Sequence, residues 1–270
     1  DASGQGSLVY GKTSDHVLGV RAVLLGGDIL DTQPVPVQLA ETLGKDNTTA
    51  GRIYRTVLER CRDNRQLIID KFPKLNRFLT GYDLRHVFND DLSQFDLTRI
   101  LTGSEGTLAF ITEARLDITR LPKVRRLVNV KYNSFDSALR NAPFMVDARA
   151  LSVETVDSKV LNLAREDIVW HSVSELIADV PDKEMLGLNI VEFAGDDAAL
   201  IESQVAALCQ RLDELIARGE GGVIGWQLCN DLAGIERIYA MRKKAVGLLG
   251  NAKGAAKPIP FAEDTCVPPE

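Results

Sequence analysis

Residues 186–230, LGLNIVEFAGDDAALIESQVAALCQRLDELIARGEGGVIGWQLCN, read as strand, helix and strand. LGLNIVEFAG is an apolar run of strand length. Asp196 and Asp197 open the helix, because a short acidic side chain can accept from the free N–H groups of a first turn. Leu200, Ile201, Val205, Leu208, Leu212, Leu215 and Ile216 then recur on one helical face, and Gly219, Gly221 and Gly222 end it. GVIGWQLCN supplies the second strand, and Asp231 heads a last helix through Ile235, Ile238, Met241, Ala245 and Leu248.

The segment upstream repeats this pattern. RRLVNVKYN alternates like a strand, Phe135, Leu139, Ala142, Met145 and Val146 fall at helical spacing, and ARALSVETVD forms another strand. Asp157 or Ser158 caps the helix SKVLNLARE. Two rounds of β-α-β predict an α+β fold on the ferredoxin-like plan, with helices folded onto one face of an antiparallel sheet. The change of pattern after Leu121-Pro122 divides the chain into a first domain over residues 1–122 and a second over 123–270.

The first domain reads as hairpin-rich. Strand-like runs at residues 8–10 and 17–25 precede the turn Gly26-Gly27-Asp28. A helix is expected over residues 51–71 from the stripe of Ile53, Val57, Leu58, Leu67 and Ile68. DKFPKLNRFLTGYDL, broken by Pro73 and Gly81, reads as a loop. It leads to ILTGSEGTLAFITEARL, in which a polar turn over residues 102–107 abuts a strand-like run.

Composition narrows the function. In the 270 residues, 45% hydrophobic and 26% charged content describes a globular chain, and no run approaches the roughly 20 apolar residues of a bilayer span. A net charge of -6 without a basic stripe disfavours nucleic acid as partner. Cys61, Cys209, Cys229 and Cys266 are scattered, which suggests neither a zinc site nor a disulfide framework and fits a reducing cytoplasm. His16, His86 and His171 lack metal-ligand spacing, so no metal is expected, and without a G-x-S-x-G elbow no acyl-transfer nucleophile is visible.

Two glycine-bearing bends remain as candidates for binding. Gly4, Gly6 and Gly11 around Ser3 and Ser7, and the turn Thr102-Gly103-Ser104-Glu105-Gly106-Thr107, can each be a plain turn or a loop offering backbone and hydroxyl donors to a ligand. On the last helix, Arg242 beside Lys243 and Lys244 reads either as a bidentate fork for a carboxylate or as a solvated basic face at a helix C-terminus. Glu154, inside a strand, either faces a cavity or a cation or lies at an exposed edge.

The segments SGQGSLVYGKTSDHVLGVRAVLLGGDIL, FPKLNRFLTGYDL, ILTGSEGTLAFITEARL and LSVETVD, in that order, resemble the FAD-linked oxidases of the vanillyl-alcohol oxidase and p-cresol methylhydroxylase superfamily. Within it the chain is similar to the branch oxidising D-2-hydroxy acids such as D-lactate, glycolate and D-2-hydroxyglutarate. DASGQGSLVYGKTSDHVLG and PFAEDTCVPPE resemble the large bacterial D-2-hydroxyglutarate dehydrogenase-like flavoproteins, which continue into an iron–sulfur region.

The resemblance implies that Gly103, Glu105 and Gly106 lie beside FAD while Ile111 and Thr112 present backbone groups to it. It implies the same lining role for Ala2, Ser3, Gly4, Gly6, Tyr10, Gly11 and Val17. Ala109 stands where the family commonly has glycine. Arg242, in YAMRKKAV, matches the arginine that grips the hydroxy acid's carboxylate on the substrate-side cap domain, and no residue is assigned as catalytic base.

The family's pyrophosphate loop and its histidine-rich metal and base motif have no counterpart here. The chain is therefore expected to be a fragment that lacks N- and C-terminal parts of its parent, binds FAD weakly or not at all, and has no turnover alone. For the parent, the electron acceptor stays open, and a cytoplasmic location, with peripheral attachment to the inner membrane as an open alternative, is expected. The competing reading is a non-catalytic ferredoxin-like ligand-binding or assembly module.

Overall fold

The computed structural model describes residues 1–4, 6–75, 77–78 and 81–248. Part of the loop expected around Pro73 and Gly81, the segment PFAEDTCVPPE and Cys266 lie outside the described residues. Two compact units divide at Thr119 and Arg120.

The first unit contains α1 (Ser7–Tyr10), α2 (Thr13–His16), β1 (Val17–Leu24), β2 (Ile29–Thr32), β3 (Val35–Pro36), α3 (Val37–Leu43), α4 (Thr49–Asp63), α5 (Arg65–Lys71), β4 (Gln94–Phe95), α6 (Thr98–Thr102) and β5 (Ala109–Leu116). β1 runs antiparallel to both β2 and β5 in a three-stranded sheet. Val17, Val20 and Ala22 of β1 pack into a core with Tyr54, Leu58 and Cys61 of α4 and Ile100 and Leu101 of α6. β5 ends the sheet, and its large apolar side chains Phe110, Ile111 and Leu116 are exposed, Phe110 at 74%.

Two local expectations give way. Residues 8–10, read as a strand, form the helical turn α1, in which Tyr10 N–H donates to the Gly6 carbonyl and Gly11 N–H to that of Ser7. Leu8 and Val9 are exposed and have no sheet to join, so local hydrogen bonding around Ser7 outweighs strand propensity. The helix expected over residues 51–71 is two, because Asn64 leaves the helical conformation and its side-chain amide donates to the Arg60 carbonyl at 2.9 Å.

The second unit contains β6 (Val124–Tyr132), α7 (Phe135–Asp147), β7 (Ser152–Asp157), α8 (Ser158–Arg165), a 3₁₀ turn (Ile168–Ser172), β8 (Gly187–Gly195), α9 (Ala198–Arg218), β9 (Val223–Cys229) and α10 (Leu232–Leu248). The sheet order β7-β8-β6-β9, antiparallel throughout, is the ferredoxin-like arrangement. Sequence signals place the caps well. Asp157 accepts from Val160 N–H, Asp197 accepts from Ala199 and Leu200 N–H, and Gly219 closes α9 at φ 68°.

The helices cover both faces of this sheet, not one. α7 and α9 pack on Val128, Val130, Tyr132, Val191 and Phe193, while α8 and α10 pack on Leu127, Leu188 and Ile190. The reason lies in β8, whose residues from Gly187 to Phe193 are all buried; a strand buried on both sides needs a layer over each.

Cys61, Cys209 and Cys229 are free and buried, and burial pushes the Cys61 and Cys209 thiols up to about 11. Among the described residues, no group of three or more His, Cys, Asp or Glu is placed to hold a metal, and no helix is long and apolar enough to cross a membrane.

Candidate functional site

The turn over residues 102–107 closes α6 and launches β5. Its hydroxyls serve the turn: Thr102 donates to the Thr98 and Arg99 carbonyls, Ser104 to Leu101 at 2.8 Å, and Thr107 to Ser104 at 2.6 Å. The hydroxyl donors expected for a ligand are thus spent on the turn itself. What remains is main chain, with Glu105 and Gly106 at φ 49° and 75° and no hydrogen bond from either N–H among the described residues.

The two glycines of this turn serve different ends. A Cβ on Gly103 would stand 2.1 Å from the Gly81 carbonyl oxygen, so the chain itself demands glycine there. At Gly106 nothing lies within 4 Å, and the backbone faces open space. Gly103→Ala should therefore destabilise the chain by about 1–3 kcal/mol with no flavin present, as overpacking does. Thermal unfolding of the flavin-free protein tests this, and an unchanged midpoint would shift the need for that glycine to a cofactor.

The N-terminal loop is brought to the same place. The Asp1 amino nitrogen donates to the Thr102 carbonyl at 2.7 Å and lies 3.5 Å from the Glu105 carboxylate. Ala2 accepts from Thr13, Ser3 Oγ accepts from Arg77, and Gly4 N–H donates to Ser7 Oγ. The Gly6 and Gly11 main-chain bonds close α1, the Tyr10 carbonyl lies 2.8 Å from a ring nitrogen of His16, and Val17 is buried in the core.

A groove of about 670 Å³ runs along these elements, lined by Asp1, Val23, Leu24, Leu25, Leu101, Thr102 and the residues from Ser104 to Ile111. Glu105, Gly106 and Ile111 lie in its wall; no lysine or arginine does. Its volume is in the range of small-molecule sites. Thr112 sits at a bulge in the β1–β5 pairing, where the register shifts between Arg21 and Ala22, and its hydroxyl donates to the Arg21 carbonyl. Ala109 packs partly against the core. A second recess of about 550 Å³ contains none of the predicted residues and is lined in part by Arg21, Asp31 and Glu113, which are already ion-paired.

The second unit holds Arg242. Its Nη2 lies 2.5 Å from Glu154 Oε2, so the strand carboxylate singled out in β7 faces a cation. Glu154 is mostly buried at 15% exposure while Arg242 keeps 42%. One turn earlier on α10, the Tyr239 hydroxyl donates to Glu192 Oε2 at 2.6 Å, and Arg125 Nε donates to Glu192 Oε1 at 2.6 Å. Burial and the Glu192 carboxylate hold the Tyr239 phenol far above its ordinary value, so it stays protonated as a donor. Lys244 pairs with Asp167 at 2.7 Å.

Arg125, Glu192 and Tyr239 were not singled out in the sequence. The available signal was Glu192 in NIVEFA, a carboxylate in an apolar strand like Glu154. A guanidinium presents five N–H donors in a planar fork, and one left half-exposed beside Glu154 can still grip a second carboxylate.

The sequence pattern of the FAD linked oxidases, C-terminal domain, matches residues 121–270, more than half of the chain. The chain belongs to the FAD-linked oxidase family. It is 88% identical over 270 residues to the D-2-hydroxyglutarate dehydrogenase of Escherichia coli strain K12, covering all of this chain and 26% of that protein. It is 46% identical over 272 residues to the D-2-hydroxyglutarate dehydrogenase of Pseudomonas putida, again with 26% of that protein covered. The chain thus spans about a quarter of the length of these relatives. Among solved structures, alkyldihydroxyacetonephosphate synthase superposes with a TM-score of 0.50 over 92% of this chain and 35% of that one; at 14% identity this shows likeness of fold.

Proposed function

We propose that this chain is part of a FAD-dependent oxidoreductase that converts a D-2-hydroxy acid to its 2-oxo acid. The observation that carries this reading is Arg242, a half-exposed guanidinium of the family's C-terminal domain, held by Glu154 and with donors to spare for a substrate carboxylate. The D-2-hydroxyglutarate dehydrogenases aligned along the whole chain support that substrate class.

The groove in the first unit fits part of the cofactor. Apolar side chains and bare backbone at Gly106 suit an uncharged ring system. An anionic pyrophosphate finds the Glu105 carboxylate and no lysine or arginine there, so it requires other parts of the parent. FAD bound there would supply the acceptor for the hydride equivalent from the substrate's C2, with the hydroxyl proton leaving to a base. Glu105, Gly106, Ile111 and Thr112 would line it, with Gly103 and the loop from Ala2 through Gly4, Gly6, Tyr10 and Gly11 to Val17 behind them, while Arg242 fixes the acid.

The exposed Phe110, Ile111 and Leu116 on β5 favour this reading over a self-contained module, because large apolar side chains gathered on one edge strand mark a surface that another part covers. In the same reading the parent is cytoplasmic and carries an iron–sulfur region. The test is the full-length parent with an artificial dye acceptor against D-2-hydroxyglutarate, D-lactate and glycolate. Dye reduction by at least one is expected, and no reduction by any of a broad panel of D-2-hydroxy acids overturns the assignment.

A further inference from the structure

We infer that Glu154 is a positioning residue that sets how Arg242 meets the substrate carboxylate, an inference that rests on the substrate role of Arg242 proposed above. α10 is tied to the sheet by carboxylates at two successive turns, through Tyr239 to Glu192 on β8 and through Arg242 to Glu154 on β7. The two ties differ. Glu192 is 5% exposed and both its oxygens are taken, one by Arg125 and one by Tyr239, which makes it an internal fastening. Glu154 has one oxygen on Arg242, no other partner among the described residues, and an arginine that still reaches solvent.

A free arginine side chain has many rotamers, and ordering it on binding costs affinity. A mostly buried carboxylate on a rigid strand removes that freedom before the substrate arrives. The strand is well fixed, because β7 pairs with β8 from Ser152 to Asp157 without a register shift. With Arg242 42% exposed beside Glu154, the guanidinium still has an open side for a bidentate grip.

The experiment uses the full-length flavoenzyme and whichever D-2-hydroxy acid it turns over best. Glu154→Gln keeps the shape and removes the charge; it should lower kcat/KM by about ten- to a hundredfold, as displaced binding groups do, chiefly through KM. Glu154→Asp should recover part of the loss. In the double variant with Arg242→Ala, the Glu154→Gln change should cost nothing further, since the residue it acts through is gone. Flavin absorbance and melting temperature should match the wild type in each case.

Losses that add in the double variant, or an unchanged kcat/KM in Glu154→Gln, overturn the positioning role while leaving Arg242 in place. If Glu154→Gln does not fold, Glu154→Asp alone decides: a raised KM cancelled in the Arg242→Ala background supports the role, and additive loss refutes it. Wild-type kcat/KM in Arg242→Ala overturns the underlying substrate reading instead.

Discussion

Arg242→Ala in the full-length parent is expected to lower kcat/KM for its hydroxy acid by about 2–5 kcal/mol, roughly thirtyfold to several thousandfold. The size follows from what is left behind: a substrate carboxylate stripped of water with no cation opposite it. Arg242→Lys should recover only part, because an ammonium supplies a point charge where a fork grips two oxygens. Steady-state kinetics with a dye acceptor reads the effect, and an unchanged specificity constant would remove Arg242 from the site.

Glu192→Ala is expected to destabilise the second unit by about 3 kcal/mol, near the low end for breaking a buried ion pair. Glu192 is 5% exposed, and removing it leaves the Tyr239 hydroxyl and the Arg125 guanidinium without their acceptor. The low end applies because Arg125 keeps 28% exposure and can turn toward water. Both tryptophans, Trp170 and Trp226, belong to this unit, so their fluorescence during urea unfolding reports on it directly. A midpoint equal to wild type would mean that the three groups form no cooperative network.

Sequence signals succeeded where the physics is local. Asp157, Asp197 and Gly219 fall where helix caps belong, because a cap depends on one side chain and its own next turn. The order of strands followed from two rounds of β-α-β. The second helical layer was hidden, because the full burial of β8 reflects packing by α8 and α10, which lie far from it in the chain.

The site divides in the same way. Arg242 and Glu154 were each marked by type and place, but their pairing joins residues 88 positions apart (242 − 154) and is visible only in three dimensions. Gly103 looked like a ligand-facing glycine, and its nearest constraint is the Gly81 carbonyl. Residues 8–10 misled because strand propensity counts only where a sheet edge is within reach.

The arrangement β7-β8-β6-β9 sets how the second unit can come together in time. β6 has no neighbour in sequence as a ladder partner: Tyr132 pairs with Gly187 and Val223, and Val124 with Gly195. Its ladders cannot zip from a tight turn, so more than fifty residues must close into a loop before the first β6–β8 bond forms, and about ninety for β9. Such distant pairing makes for slow folding, and until β9 arrives the central strand β6 waits with one side bare.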